Sequence, residues 1–266
     1  MEDKRKVAEE AVLNGYLTQD QLPNYDDIIT EDDTPVDNIY SEKQQRLLTE
    51  PLYASWCGPN GDGRFLALAN VGLFYSVREP PLVPDVLLSV GVQAPPELWE
   101  KRHRSYFVWE YGKPPDVVIE IVSNRKGGED DQKLALYASI GVSYYIILDP
   151  DEHLRSGVLR AFELHPAGYA RMSDLRLAKI GLGLTLWRGK YEGAEDLWLR
   201  WCDVRGDLIP TGAERAEAER QRAEAERQRA EQAERQRDEL LAQLEIERRR
   251  VQELLRGQQS SATAQD

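Results

Sequence analysis

Short apolar runs, broken by turn-forming residues, dominate the chain between residues 65 and 187. The runs are rich in branched and aromatic residues and are bounded by Gly, Asn, Pro or Asp, which is typical of β-strands. This pattern predicts strands at 65–70, 72–77, 83–90, 116–123, 144–150, 158–164, 175–180 and 184–187.

Two segments of the same region have a helical pattern instead. A helix is predicted over 41–53, where Ser41 is a good N-cap and leucines recur at helical spacing. A second helix is predicted over 129–140 and ends at Gly141. The strand–helix–strand unit at 116–149 predicts two parallel strands joined by a right-handed crossover. With antiparallel neighbours, the fold class is α/β with a mixed sheet flanked by helices.

The two ends of the chain differ from this middle region. Residues 20–40 are rich in Asp and Pro and are expected to form an irregular, solvated arm. Beyond Gly212 the composition changes abruptly to Ala, Glu, Arg and Gln. We therefore divide the chain into an N-terminal helix and acidic arm (1–40), an α/β domain (41–205) and a charged helical tail (206–266).

The tail carries a seven-residue repeat of the type AERQRAE. One repeat position is occupied by Ala216, Ala223, Ala230, Leu244 and Val251. The composition predicts one long helix. Larger apolar residues cluster only after residue 240, so a coiled coil is predicted for that last part alone. The alternative is an isolated helix stabilised by Glu–Arg pairs three and four residues apart.

The negative charge of the chain lies mainly outside the tail. The net charge is -13, yet residues 213–256 hold 11 basic and 12 acidic residues. Residues 1–212 therefore hold 23 basic and 34 acidic residues, and Asp266 accounts for the remaining acid. This balance argues against avid, nonspecific binding to DNA but leaves room for a local basic groove, for which the Lys-Arg-His-Arg cluster at 101–104 is a candidate.

The cellular compartment is predicted from segments that the sequence lacks. No apolar run approaches the length of a membrane span, and the charged start MEDKRKVAEE has no signal-peptide apolar core. The two cysteines, Cys57 and Cys202, form no CxxC motif. We expect buried, reduced thiols in a cytoplasmic protein without a membrane segment.

Two acidic residues in the predicted strands are the best candidates for chemistry. Asp85 follows Pro84 near the start of one strand, and Glu120 is surrounded by Val and Ile in another. A buried acid is costly unless it is paired or binds a metal. Two carboxylates from adjacent strands would make an oxygen site suited to Mg²⁺, with Mn²⁺ as a substitute. Asp85 taken alone fits a strand-entry residue equally well.

The motifs around these acids resemble the Uma2 family. The resemblance is carried by VPDVLLSV, by PPDVVIEIVSN with the following Glu129 and Lys133, and by KLALYASIGVSYYIILDP, and it extends over roughly residues 40–190. It implies a restriction endonuclease-like fold of the PD-(D/E)xK superfamily and Mg²⁺-dependent cleavage of DNA. In that family Asp85 matches the aspartate of the PD motif and Glu120 matches the acid of the second motif.

One position departs from the superfamily pattern. The lysine expected two residues after Glu120 is replaced by Val122. Lys133, at the start of the next predicted helix, occupies the place to which the family has moved this lysine. The predicted catalytic residues are therefore Asp85, Glu120 and Lys133, and the first two are the predicted metal ligands.

Four further residues are candidates for supporting roles. Glu129 and Tyr137 lie four residues on either side of Lys133, and therefore on one helix face. Asp116 shares a strand face with Glu120, and Glu42 lies on the first helix. Three of them also have a purely structural interpretation: a strand opener for Asp116, a packed ring for Tyr137 and a solvated surface residue for Glu42.

The leading functional prediction is a metal-dependent DNA endonuclease, and two alternatives compete with it. One is a degraded nuclease fold that binds protein or nucleic acid and oligomerises through its tail. The acidic domain and Val122 favour this module, whereas Glu120 beside Asp85 and Lys133 favours the enzyme. The other alternative is a hydrolase of small phosphoesters. A homodimer would suit duplex DNA, because two active sites can address two strands.

Overall fold

The computed structural model describes residues 38–123 and 132–262, with side chains as far as residue 252. The helices of this part are α1 (Ile39–Ser55), α2 (Val108–Tyr111), α3 (Gln132–Ile140) and α4 (Gly212–Ala262). The strands are β1 (Phe65–Ala69), β2 (Leu73–Phe74), β3 (Val86–Val90), β4 (Tyr106–Phe107), β5 (Val117–Ile121), β6 (Tyr144–Leu148), β7 (Leu159–His165), β8 (Gly168–Arg171), β9 (Arg176–Leu177), β10 (Leu182–Tyr191) and β11 (Ala194–Cys202). A short 3-10 helix covers Lys101–His103.

A six-stranded mixed sheet forms the centre of the fold, in the order β1-β3-β5-β6-β7-β8. Strands β5 and β6 are parallel and in register from Val117 opposite Tyr144 to Ile121 opposite Leu148. The other neighbours in this sheet are antiparallel. The parallel pair predicted at 116–149 is therefore confirmed, and the mixed sheet flanked by helices is consistent with the restriction endonuclease-like fold.

Alternate residues of the central strands point into two separate apolar clusters, as the period of a strand requires. Val117, Ile119 and Ile121 pack with α1 and the second sheet on one face. Val118 and Val122 pack with residues of α3 on the other face. Every residue of β5 and β6 is buried, which explains their nearly continuous apolar sequences. Glu120 belongs to the face that α3 covers, so it has to be accommodated inside an apolar layer.

A second sheet of three antiparallel strands, in the order β11-β10-β9, packs against α1. The side chain of Gln44 joins helix to sheet, because its amide donates to the carbonyl of Leu199 and accepts from the N–H of the same residue, both at 2.8 Å. The indole of Trp201 adds a bond of 2.7 Å to the carbonyl of Leu48. These contacts attach α1 to the second sheet.

Several strand predictions need correction. The runs at 72–77 and 175–180 contribute only the two-residue strands β2 and β9. Strands β4, β8 and β11 were not predicted from the sequence. Strand β11 was missed because it starts with Ala-Glu-Asp, which is a weak strand signal. Pairing with β10 stabilises the strand despite this acidic start. The pair β2–β4 is parallel, contrary to the expectation of antiparallel strands outside the 116–149 unit.

The chain divides into two units, residues 1–212 and 213–266. The side chains described in α4 between residues 213 and 252 are almost all exposed, including Leu240, Leu244 and Val251. Residues 1–37, which hold most of the predicted arm, lie outside the described part, whereas Ile39 and Tyr40 belong to α1, whose N-cap is Asn38 rather than the predicted Ser41. In the ranges that the structure covers, no helix combines the length and apolar character of a membrane span. Both cysteines are free; Cys202 is buried as expected, whereas Cys57 is exposed.

Candidate metal and catalytic site

Glu120 is a carboxylate inside an apolar strand. It lies near the end of β5 with only 3% of its surface exposed. Its two oxygens have different partners: Oε2 accepts from Nζ of Lys133 at 3.0 Å, and Oε1 accepts from the hydroxyl of Tyr137 at 2.7 Å. The cost of burying this acid is therefore offset by an ion pair and a strong hydrogen bond.

Helix α3 supplies both partners of Glu120. Lys133 and Tyr137 are four residues apart, so they project from the same side of the helix, one turn from each other. Tyr137 is fully buried against Tyr145 of the neighbouring β6, whereas 27% of the Lys133 side chain is exposed. The lysine thus lies at the boundary between the buried carboxylate and solvent, where a substrate could reach it.

Asp85 lies next to Glu120 on the adjacent strand. It directly precedes β3; the paired residues end with Val86 opposite Ile119, and one further step along each chain segment leads to Asp85 and Glu120. Oδ2 of Asp85 accepts from the backbone N–H of Ile121 at 2.7 Å, and Asp85 is only 8% exposed. Opposed residues of an antiparallel pair are close neighbours on a sheet. The structure therefore brings together the three predicted catalytic residues and Tyr137.

Tyr137 serves as a neutral donor in this site. Burial raises the pKa of its hydroxyl, and the negative charge of Glu120 raises it further, followed by the hydrogen bond to Glu120. The hydroxyl consequently keeps its proton throughout the physiological range. Tyr137 can hold Glu120 in one orientation, but it cannot act as a general base.

Two of the proposed supporting acids have other partners. Asp116 lies just before β5, at the end opposite Glu120, where its Oδ2 accepts from Nζ of Lys113 at 2.6 Å and from the N–H of Val90 at 2.8 Å. This is the strand-opening role. Glu42 is an exposed residue of α1 that pairs with Arg46. Glu129 lies outside the described residues.

Sequence reasoning missed two polar residues of this site, Gln45 and Asn70. Nε2 of Gln45 donates to Oδ1 of Asp85 at 2.9 Å, and Nδ2 of Asn70 donates to Oε1 of Gln45 at 2.9 Å. The sequence carries little signal for Gln45, because glutamine on an amphipathic helix usually faces solvent. A usable signal was present in Asn70, since asparagine after an apolar strand is typical of a left-handed turn, and its φ is 51°.

The donor atoms around Asp85 and Glu120 suit a hard divalent cation. Both carboxylates are buried on neighbouring strands. Within residues 38–123 and 132–262, no group of three or more His, Cys, Asp or Glu residues is placed to hold a metal. Mg²⁺ commonly uses only one or two carboxylates and completes its shell with water and substrate phosphates. Asp85 and Glu120 fit that requirement.

Comparison with protein families gives one match. The family model of Uma2, described as "Putative restriction endonuclease", matches residues 26–175. This range includes α1, β3, β5, α3 and β6, and therefore all the elements that carry the site. A comparison with curated proteins gives no match.

Proposed function

The chain belongs to the Uma2 family, and from that premise we propose that it is a metal-dependent endonuclease that hydrolyses phosphodiester bonds of DNA. One observation carries the proposal: buried Glu120 meets Lys133 and Tyr137 beside Asp85 of the adjacent strand. Two carboxylates and a lysine at a partly open position are the groups that metal-assisted phosphodiester hydrolysis requires.

In this proposal Asp85 and Glu120 hold Mg²⁺, or Mn²⁺ in its place. A divalent cation bound there would neutralise phosphate charge and favour ionisation of an attacking water. Tyr137 keeps Glu120 in position through Oε1, and the backbone N–H of Ile121 does the same for Asp85. The two carboxylates are thus oriented before substrate arrives, which avoids a reorganisation cost during the reaction.

Lys133 provides the cation that the second motif lacks at Val122. Val122 is 2% exposed and belongs to the apolar cluster under α3, so a lysine at that position would have to be buried. Lys133 instead approaches Glu120 from the first turn of α3, with a stem long enough to reach solvent. We propose that its ammonium group contacts the phosphate or the attacking water as negative charge develops.

A plasmid-nicking assay tests this function. The full-length protein should convert supercoiled plasmid to the nicked form with Mg²⁺ or Mn²⁺, and a chelator should stop the reaction. Glu120→Gln keeps the size of the side chain but removes its charge, and it should lower the rate by on the order of 10²-fold or more. Wild-type rates in Glu120→Gln, or cleavage that persists with chelator, would contradict the proposal.

The negative charge of residues 1–212 favours a second candidate function, that of a non-catalytic binding module. Residues 1–212 carry 34 acidic against 23 basic residues, which is unfavourable for tight contact with DNA. If the wild-type protein cleaves no DNA across a range of sequences and metals, yet binds a protein or nucleic-acid partner, the non-catalytic binding module is the better explanation.

A homodimer formed through the tail, in a cytoplasmic location, completes the proposal. The last part of α4 exposes Leu240, Leu241, Leu244, Ile246 and Val251 on a helix that is otherwise charged. Pairing of two such helices would bury these residues. Light scattering of the full chain and of a chain ending at Thr211 should give a dimer and a monomer, respectively. Equal masses would show that the tail is not the assembly element.

A further inference from the structure

We infer that Gln45, itself oriented by Asn70, is a positioning residue that aligns the Asp85 carboxylate for the divalent cation; this inference rests on the proposed function. Gln45 is on α1, Asn70 directly follows β1 and Asp85 directly precedes β3, so three separate elements meet at one point. Gln45 and Asp85 are both buried, at 5% and 8% exposure.

The hydrogen bonds fix which way the Gln45 amide faces. Nδ2 of Asn70 donates to Oε1 of Gln45 at 2.9 Å, which identifies Oε1 as the acceptor end. The Nε2 end therefore faces Asp85 and donates to Oδ1 at 2.9 Å, with a longer contact of 3.5 Å to Oδ1 of Asn70. Reversal of the amide would place two oxygens, those of Gln45 and Asp85, against each other.

Asn70 is attached to Asp85 through the backbone as well. Its N–H donates to the carbonyl of Asp85 at 3.2 Å. Its φ of 51° lies in the left-handed region, which Asn adopts more readily than most residues. The main chain of Asn70 thus bonds to the backbone of Asp85, and its side chain acts on the Asp85 carboxylate through Gln45.

Gln45 is an uncharged hydrogen-bond donor, and this property suits a residue that orients a metal ligand. With Ile121 N–H on Oδ2 and Gln45 on Oδ1, both oxygens of Asp85 are oriented by uncharged donors. Such donors orient a carboxylate without themselves neutralising its charge. Outer-shell partners of this kind typically change metal affinity by about 10–100-fold when they are removed.

The neighbouring residue Gln44 offers a matched control. It is equally buried on α1, but its amide bonds to the backbone of Leu199 in the second sheet rather than to the site. Gln45→Met and Gln44→Met each replace a buried amide with an apolar chain of similar length. Both should lower stability, but only Gln45→Met should change the site.

The experiment is calorimetric titration of the full-length protein with Mn²⁺ alone, without DNA, with circular dichroism to verify folding. Gln45→Met should weaken Mn²⁺ binding by about 10–100-fold, whereas Gln44→Met should bind as the wild type does. Asn70→Gly tolerates the positive φ and should weaken binding in the same direction. The double variant of Gln45→Met and Asn70→Gly should be little worse than Gln45→Met, because Asn70 acts through Gln45.

The outcomes separate this inference from the function on which it rests. Wild-type affinity in folded Gln45→Met, while Glu120→Gln loses Mn²⁺ binding, would overturn the role of Gln45 and leave the metal site standing. Equal weakening in Gln44→Met and Gln45→Met would reduce Gln45 to a structural residue and would also overturn the inference. A wild-type protein that binds no Mn²⁺ would overturn the inference together with the metal-dependent function.

Discussion

The two ends of β5 carry the same pair of residue types in different surroundings. At the start of the strand Asp116 pairs with Lys113, and near its end Glu120 pairs with Lys133. Four residues separate the two acids, which corresponds to about 13 Å along a strand. Each end also has a tyrosine hydroxyl, from Tyr106 at the first and Tyr137 at the second. Composition alone therefore does not distinguish them.

Their partners make the difference. Lys113 is three residues from Asp116 and also donates to the carbonyl of Val90, so this pair fastens the start of β5 to the end of β3. Lys133 reaches Glu120 from a separate helix, and Asp85 stands opposite on the adjacent strand. The contacts at the first end form a clamp between β5 and β3, whereas the second end brings together two acids, a lysine and a neutral hydroxyl donor. A functional role thus depends on which elements converge.

The largest contrast between the two ends is expected in metal binding. The double variant Asp85→Ala, Glu120→Ala removes both proposed ligands, so calorimetric titration with Mg²⁺ or Mn²⁺ should show no binding. Asp116→Asn, at the other end, should bind metal with wild-type affinity. Unchanged affinity in the double variant would remove the metal site from this end of the strand.

The next contrast is in the rate of DNA cleavage. Lys133→Ala should lower plasmid nicking by on the order of 10²–10³-fold, because a charge contact made in the transition state is lost. Folding and metal binding should persist. Lys113→Ala removes a lysine of the same length from the clamp and should leave the rate within a few fold. Comparable losses in both variants would mean that the two ends do not differ in function.

A smaller contrast is expected in stability. Tyr137→Phe removes a hydrogen bond to a buried carboxylate, and its cost should be about 1.5–3 kcal/mol in the free energy of unfolding. Tyr106→Phe removes bonds to neutral groups, Ser89 and the carbonyl of Lys113, and should cost about 0.5–1.5 kcal/mol. Urea unfolding measures both. A larger loss in Tyr106→Phe would show that Glu120 depends little on its tyrosine.

The smallest effect concerns alkaline pH. Because burial and the charge of Glu120 raise the pKa of Tyr137 above its ordinary 10.0, the unfolded chain loses this proton before the folded protein does. The stability from this group is complete below pH 10 and falls above it, by up to about 1.4 kcal/mol per pH unit. The slope of unfolding free energy above pH 10 should therefore be shallower in Tyr137→Phe. Identical slopes would contradict the raised pKa.

The central elements of the fold, and the presence of an acidic residue, Glu120, within an apolar strand, could be predicted from the sequence. Apolar periodicity is a local property, so it located β3, β5 and β6 and a helix between the last two. An acid among Val and Ile is also visible locally, since burial of a carboxylate demands a partner. The abrupt change to Ala, Glu and Arg identified the helical tail in the same way. Short strands were located less well: β2 and β9 were predicted too long and β8 was missed, because two to four residues carry too little pattern.

The contacts between polar residues, in contrast, follow from the tertiary structure. Gln45 and Asp85 are 40 residues apart and Asp85 and Ile121 are 36 apart, so no local pattern relates them. Their contact depends on strand register, in which a slip of one residue would turn every side chain to the opposite face. Asp116 and Glu120 lie on one strand, and they differ in the elements that supply their partners. Residue types indicate candidates for a site, but the pairing of strands and the packing of α1 and α3 determine which candidates lie together.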